Sequence, residues 1–215
     1  MSEERLNYYD PKEEKLNVIT HGFGLLMSIV ALFFLVKKVI GHDTISIISF
    51  VVFGLSLIIL YTASTLYHAT KDPKKRYRLN IFDHASIYVL IAGTYTPFAL
   101  LVLDGWVGWT IFGISWGLAL VGIILKLFFT GKYDRASTIA YVFMGWLIVF
   151  AIKPLIENLT VEGLLWLFAG GLFYTIGAVL YSMQNIKHNH AIFHIFVLLG
   201  SFSHFMAVYY HILPK

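Results

Sequence analysis

Two histidines one helical turn apart, His190 and His194, open the last long apolar stretch of this 215-residue chain. Side chains four residues apart share one helix face about 5 to 6 Å from each other, close enough to clamp a single metal ion. Alone the pair is a weak signal, because histidines at this spacing also serve as interfacial residues, and a metal centre needs ligands from other elements. His68 is the best third candidate, with Ser64 one turn earlier on the same face, and Asp83 is the one acidic residue within any of the apolar stretches. Three neutral imidazoles leave a fourth position for water, the pattern of a catalytic zinc and not of a closed structural site. Zinc activates water and polarises a carbonyl, the two requirements for hydrolysing an amide or ester. Asp83 could then orient or deprotonate that water, and Ser64 could hydrogen-bond the water, the substrate or Asp83. The plainer reading has Asp83 capping a helix and Ser64 bonding its own backbone, as both residue types commonly do.

Those residues must be positioned by membrane helices. Of the chain, 58% is hydrophobic and only 13% charged, against roughly 45 to 50% apolar and about 25% charged in soluble domains. A span needs about 20 predominantly apolar residues. The sequence offers seven candidates: Leu16 to Val36, Thr44 to Thr70, Leu79 to Leu103, Gly105 to Leu125, Ala136 to Ile152, Gly163 to Ile186 and His188 to Pro214. The fifth is expected to end at Lys153-Pro154, where proline opposes continuation. The connections are short, so the expectation is an all-α, seven-helix transmembrane bundle over residues 16–215 behind a charged 15-residue cytoplasmic leader, with Leu16 to Val36 a retained span and not a signal peptide. Nothing is long enough for a soluble domain, which excludes a nucleic-acid binder or a cytosolic enzyme. With no cysteine, disulfides and thiolate chemistry are excluded as well.

Basic residues of short loops stay preferentially cytoplasmic. Twelve fall on one side (Arg5, Lys12, Lys15, Lys71, Lys74, Lys75, Arg76, Arg78, Lys126, Lys132, Arg135, Lys187) and four on the other (Lys37, Lys38, Lys153, Lys215). The amino terminus is therefore expected in the cytoplasm and the carboxyl terminus outside. Glu14, Asn17 and His21, then Ser64 and His68, then Asp83 and His84, then His190 and His194 all fall at inner helix ends, which predicts one cytoplasm-facing site. Asn17 and His21 are expected to support the site without ligating. His204 lies about 15 Å beyond His194 along the axis, too far to share its metal, and is expected to hydrogen-bond between helices. Tyr95-Thr96-Pro97 sits mid-span, where a proline kink either opens a lipid entrance or simply packs.

A retinal protein is excluded, since no lysine lies inside the last helix. Haem held by His68 and His194 would leave His190 and Asp83 without roles. A pore needs a continuous polar path, and the outer half is mainly apolar.

Four motifs carry a resemblance that spans nearly the whole chain: Glu14-x-x-Asn17-x-x-Thr20-His21, Ser64-x-x-Tyr67-His68, Asp83 followed by Ile91-Ala92-Gly93-Thr94-Tyr95-Thr96-Pro97, and His190-x-x-x-His194. They resemble the hemolysin III family, the bacterial branch of the progestin and adipoQ receptor (PAQR) superfamily. The resemblance implies a seven-helix bundle in the bacterial cytoplasmic membrane with zinc held by His68, His190 and His194, a water-holding Asp83 and a conserved Ser64. It also implies an intramembrane hydrolase of a lipid amide or acyl bond affecting membrane lipid homeostasis, with membrane lipids as partners. Alternatives are a zinc-stabilised lipid sensor and a cytolytic protein. The long amino-terminal domain of the adiponectin receptors is missing from this sequence, so no hormone-receptor role carries over.

Overall fold

The computed structural model describes residues 8–103, 105–183 and 185–213. Arg5, Lys215 and the expected helix end at Pro214 lie outside them. Among the described residues there are eight α-helices: α1 Pro11–Val39, α2 Thr44–Ala69, α3 Pro73–Leu101, α4 Gly105–Phe129, α5 Asp134–Gly145, α6 Ile152–Asn158, α7 Val161–Ser182 and α8 Asn189–His211. A 3-10 stretch, Leu147–Ala151, joins α5 to α6, and the run Asp134–Asn158 crosses as one unit, giving seven helical units long and apolar enough to span a membrane. The protein is an all-α polytopic bundle, as expected.

Two helices start earlier than apolarity alone suggests. Asp10 caps α1 by accepting from the Lys12 amide, and Asp72 caps α3 by accepting from the Lys75 amide. Each is followed by proline, whose fixed φ suits the first helical position. Asp83 consequently lies ten residues inside α3 and does not cap it.

The fifth span is corrected more substantially, because it does not end at Lys153-Pro154. The α-helix stops at Gly145, and Pro154 falls in the first turn of α6, where a missing amide hydrogen costs little. The proline ring excludes a regular α-helical carbonyl four residues earlier, so regularity is lost upstream, over Leu147–Ala151. The Tyr95 hydroxyl from α3 occupies the break, donating to the Gly145 carbonyl at 2.8 Å and accepting from the Ile148 amide at 3.0 Å. Next to it, Thr96 accepts from the Trp116 indole at 3.1 Å. Pro97 lies inside α3, which stays helical to Leu101. The Tyr95-Thr96-Pro97 segment therefore packs α3 onto α4 and α5.

The third span is the most buried and the least hydropathic of the seven. It can carry polar groups because other helices, not lipid, surround it. Gly93 permits its close approach to α2, since a Cβ there would lie 2.5 Å from Ser56 Cβ. Small residues at helix contacts serve this purpose in membranes. Large side chains such as Phe23, Leu26, Phe33 and Leu120 are exposed on the outer surface, where acyl chains replace water as solvent.

Candidate metal centre

His68 at the end of α2 and His190 and His194 at the start of α8 converge, with one ring nitrogen from each lying within 4.8 Å of the others. All three are buried. Nε2 of His68 lies 3.1 Å from Nε2 of His190, and the ring centroids of His190 and His194 are 4.5 Å apart. A tetrahedral zinc with bonds of about 2.0–2.1 Å spaces its nitrogen ligands by about 3.4 Å, close to the 3.1 Å between the His68 and His190 nitrogens.

What decides ligand chemistry is the other nitrogen of each ring. Nδ1 of His68 lies 2.7 Å from Oε2 of Glu14. An ionised carboxylate only accepts, so the proton belongs on Nδ1 and the Nε2 lone pair is free. Nδ1 of His194 is 3.3 Å from the Thr20 hydroxyl, whose single hydrogen is directed to the Leu16 carbonyl at 2.8 Å. His194 must then donate from Nδ1, which frees its Nε2 too. Nδ1 of His190 meets the Tyr9 hydroxyl at 3.2 Å. A hydroxyl can donate or accept, so His190 can adopt the same tautomer. Histidines that bind metals generally donate their second N–H in this way. Two facing lone pairs at 3.1 Å need a proton or a cation between them, and the three nitrogens together could hold one metal ion.

Glu14 is itself fixed, its other oxygen pairing with the buried Arg76 guanidinium of α3. Arg76 also donates to the carbonyls of Tyr67 and Thr70 and lies over the Tyr67 ring. The start of α1 thereby links the ends of α2 and α3. Asn17 is fully buried with its amide 3.4 Å from Nδ1 of His68. His21 stacks on His194 with centroids 3.5 Å apart and meets Tyr61 edge-on. Both stand beside the cluster and outside the converging triplet.

His190 and His194 lie on the wall of a cavity of about 150 Å³ that also meets His21, Ser64 and Asp83. His68 stands just behind that wall. Apolar residues including Leu60, Leu90, Phe193 and Val197 line its length, and it reaches His204 and Trp146. From His190 to His204 is about 21 Å along α8. The Ser64 hydroxyl makes no bond to the backbone among the described residues, so the backbone-bonding alternative does not hold. Asp83 is its ionisable neighbour. At the far end His204 donates from Nε2 to the Leu167 carbonyl of α7 at 3.1 Å, the expected tie between helices.

Residues 9–205 match the profile described as Haemolysin-III related. The chain belongs to this family. Hemolysin-3 of Bacillus cereus is 48% identical over 204 residues, covering 94% of this chain and 93% of that protein. A hemolysin-3 homolog of Bacillus subtilis (strain 168) is 46% identical over 201 residues, covering 93% and 94%. The human monocyte to macrophage differentiation factor is 27% identical over 203 residues, covering 92% and 83%. Hemolysin III membership sets the chain within the PAQR superfamily, and with the seven spans it identifies a multi-pass bacterial cell-membrane protein.

Glu14, Asn17, Thr20 and His21 of the first motif and His68 of the second stand beside His190 and His194, whereas Tyr95 and Thr96 of the third bond to the fifth span and α4. Missing from the sequence reading were Tyr9 and the role of Arg76. Positions 14, 17 and 20 do share one helix face, a pattern that could have disclosed a common target. No comparable pattern marks Tyr9.

Proposed function

We propose that this hemolysin III protein is a zinc-dependent intramembrane hydrolase of a lipid amide or related acyl bond, acting from the cytoplasmic side in membrane lipid homeostasis. His68, His190 and His194 hold the ion through Nε2. Bound zinc supplies Lewis acidity and lowers the pKa of its water toward about 7. The observation that carries the reading is the shared wall: two of the converging histidines, Asp83 and Ser64 line one mostly apolar cavity. A lipid can lay its acyl chain along that cavity with the carbonyl at the polar end. Asp83 takes a proton from the attacking water and returns it to the departing nitrogen or oxygen. The new carbon–oxygen bond forms as the acyl bond breaks, releasing a fatty acid and an amine or alcohol. Ser64 orients the carbonyl or the water.

The test incubates the reconstituted protein with a host lipid extract and compares products with those of Asp83→Asn by mass spectrometry. The variant should keep its zinc and lose the products. Identical product profiles with zinc retained would defeat the hydrolase reading and leave a zinc-stabilised lipid sensor. The Bacillus cereus relative's name gives cytolysis as a second reading. It requires release of contents from vesicles lacking any hydrolysable lipid.

A further inference from the structure

The segment ahead of α1 reaches into the metal centre. Tyr9 stacks on His190 with ring centroids 4.5 Å apart and planes 23° from parallel, and its hydroxyl meets Nδ1 at 3.2 Å. Its ring also lies 5.8 Å from that of His68. Two residues into α1, Glu13 adds a separate tie, accepting from the His190 backbone amide at 3.2 Å. That bond serves as an end cap for α8. The residue in the capping position, His188, has a left-handed backbone (φ 57°) and makes no side-chain cap of its own. Histidine ligands can turn about χ1 and χ2, and His190 opens its helix, where local backbone restraint is weakest. Ring orientation at this position therefore depends on what touches the ring.

We propose that Tyr9 is a positioning residue of the metal centre, holding the His190 imidazole by stacking and by accepting its Nδ1 proton, so that the segment before α1 governs how tightly the ion is retained. The inference rests on the three-histidine metal reading and adds a residue to it. Each imidazole then has a dedicated Nδ1 partner, and all three partners come from one stretch: Tyr9 for His190, Glu14 for His68, Thr20 for His194. The partner must be an acceptor when the metal occupies Nε2. A tyrosine hydroxyl is a neutral group that can accept as well as donate, so it can fill that role. A neutral oxygen orients the ring without adding charge, whereas Glu14 supplies charge at His68.

The experiment measures zinc affinity of the purified full chain by competition with a chelator, for wild type, Tyr9→Phe and Tyr9→Ala, alongside thermal unfolding of the metal-free forms. Loss of such an outer partner typically weakens metal binding about 10- to 100-fold. Tyr9→Ala should fall in that range, and Tyr9→Phe, which keeps the stacked ring and loses the hydroxyl, should fall between it and wild type. Both variants should unfold near the wild-type temperature without metal. Wild-type affinity in both variants overturns the inference while leaving the metal reading standing. So does a drop in metal-free stability with unchanged affinity, which would make Tyr9 a packing residue. A wild-type chain that takes up no zinc overturns the metal reading itself, and this inference with it.

Discussion

Glu14→Gln separates the metal chemistry of this site from its structural support. The carboxylate serves two groups, accepting from His68 Nδ1 at 2.7 Å through one oxygen and pairing with Arg76 through the other. An amide keeps only one acceptor oxygen, so at most one of these bonds survives. Arg76 is 2% exposed but the Glu14 side chain is 18% exposed, so the cost of breaking a fully buried pair, about 3–5 kcal/mol because the remaining charge is stranded, is an upper bound here. Arg76 keeps its bonds to two backbone carbonyls and its place over Tyr67, so the loss should fall at or below the lower figure, about 3 kcal/mol. Zinc affinity is a separate quantity. It should fall about 10- to 100-fold, because His68 loses the charged acceptor that fixes its tautomer. Thermal unfolding with excess chelator reads the first effect, and zinc competition reads the second. Adding Arg76→Met removes the stranded charge and should recover stability without recovering affinity. The reasoning is refuted if Glu14→Gln binds zinc as tightly as wild type, or if the double variant restores zinc binding.

Replacing His68, His190 and His194 together should abolish stoichiometric zinc in purified protein; unchanged metal content would show that the ion, if present, sits elsewhere. Residues 1–15 and the segment Lys71 to Arg78, which enters α3 at Pro73, should be cytoplasmic. An alkaline phosphatase fusion after Arg78 should therefore be inactive and one at the carboxyl terminus active, with the opposite pair reversing the orientation. Tyr95→Phe removes both hydrogen bonds at the break in the fifth span. At about 1 kcal/mol each it should lower stability by about 2 kcal/mol in thermal or denaturant unfolding, and an unchanged midpoint would show that the break satisfies itself.

The spans and the His190–His194 pair were legible because both rest on local periodicity, whereas His68, on a different helix, was a candidate that only the motif resemblance tied to the pair. About 20 apolar residues announce a helix, and a four-residue histidine spacing announces a shared face. Helix starts were misplaced where the apolar criterion overrode a polar one. Asp10-Pro11 and Asp72-Pro73 are ordinary start signals, yet they stand among charged residues that a hydropathy scan discards. The broken fifth span shows the opposite limit. Pro154 was visible, but its consequence appears upstream, at a place fixed by the hydroxyl of Tyr95 some 50 residues earlier. Tyr9 could not be found at all. A tyrosine outside any periodic element acquires its role only when the helix behind it docks against α8.

The first helix shows why hydropathy finds spans and overlooks what they hold. Its buried residues are Glu13, Asn17, His21, Gly24, Ser28, Leu35 and Val39, a stripe at spacings of three, four and seven that is polar or small for most of its length. Its large apolar residues point outward, with Phe23, Leu26 and Phe33 among the most exposed. That arrangement inverts a soluble amphipathic helix, and the inversion follows from the solvent. Lipid accepts apolar side chains without penalty, so a polar group is retained only where another helix satisfies it. A peripheral helix can therefore carry the partners of all three histidines on the flank of its inner stripe and just ahead of it, while its mean hydropathy looks like that of an ordinary anchor. In a bundle of this kind, the residues that decide the chemistry of the centre are best sought on the least apolar face of each span.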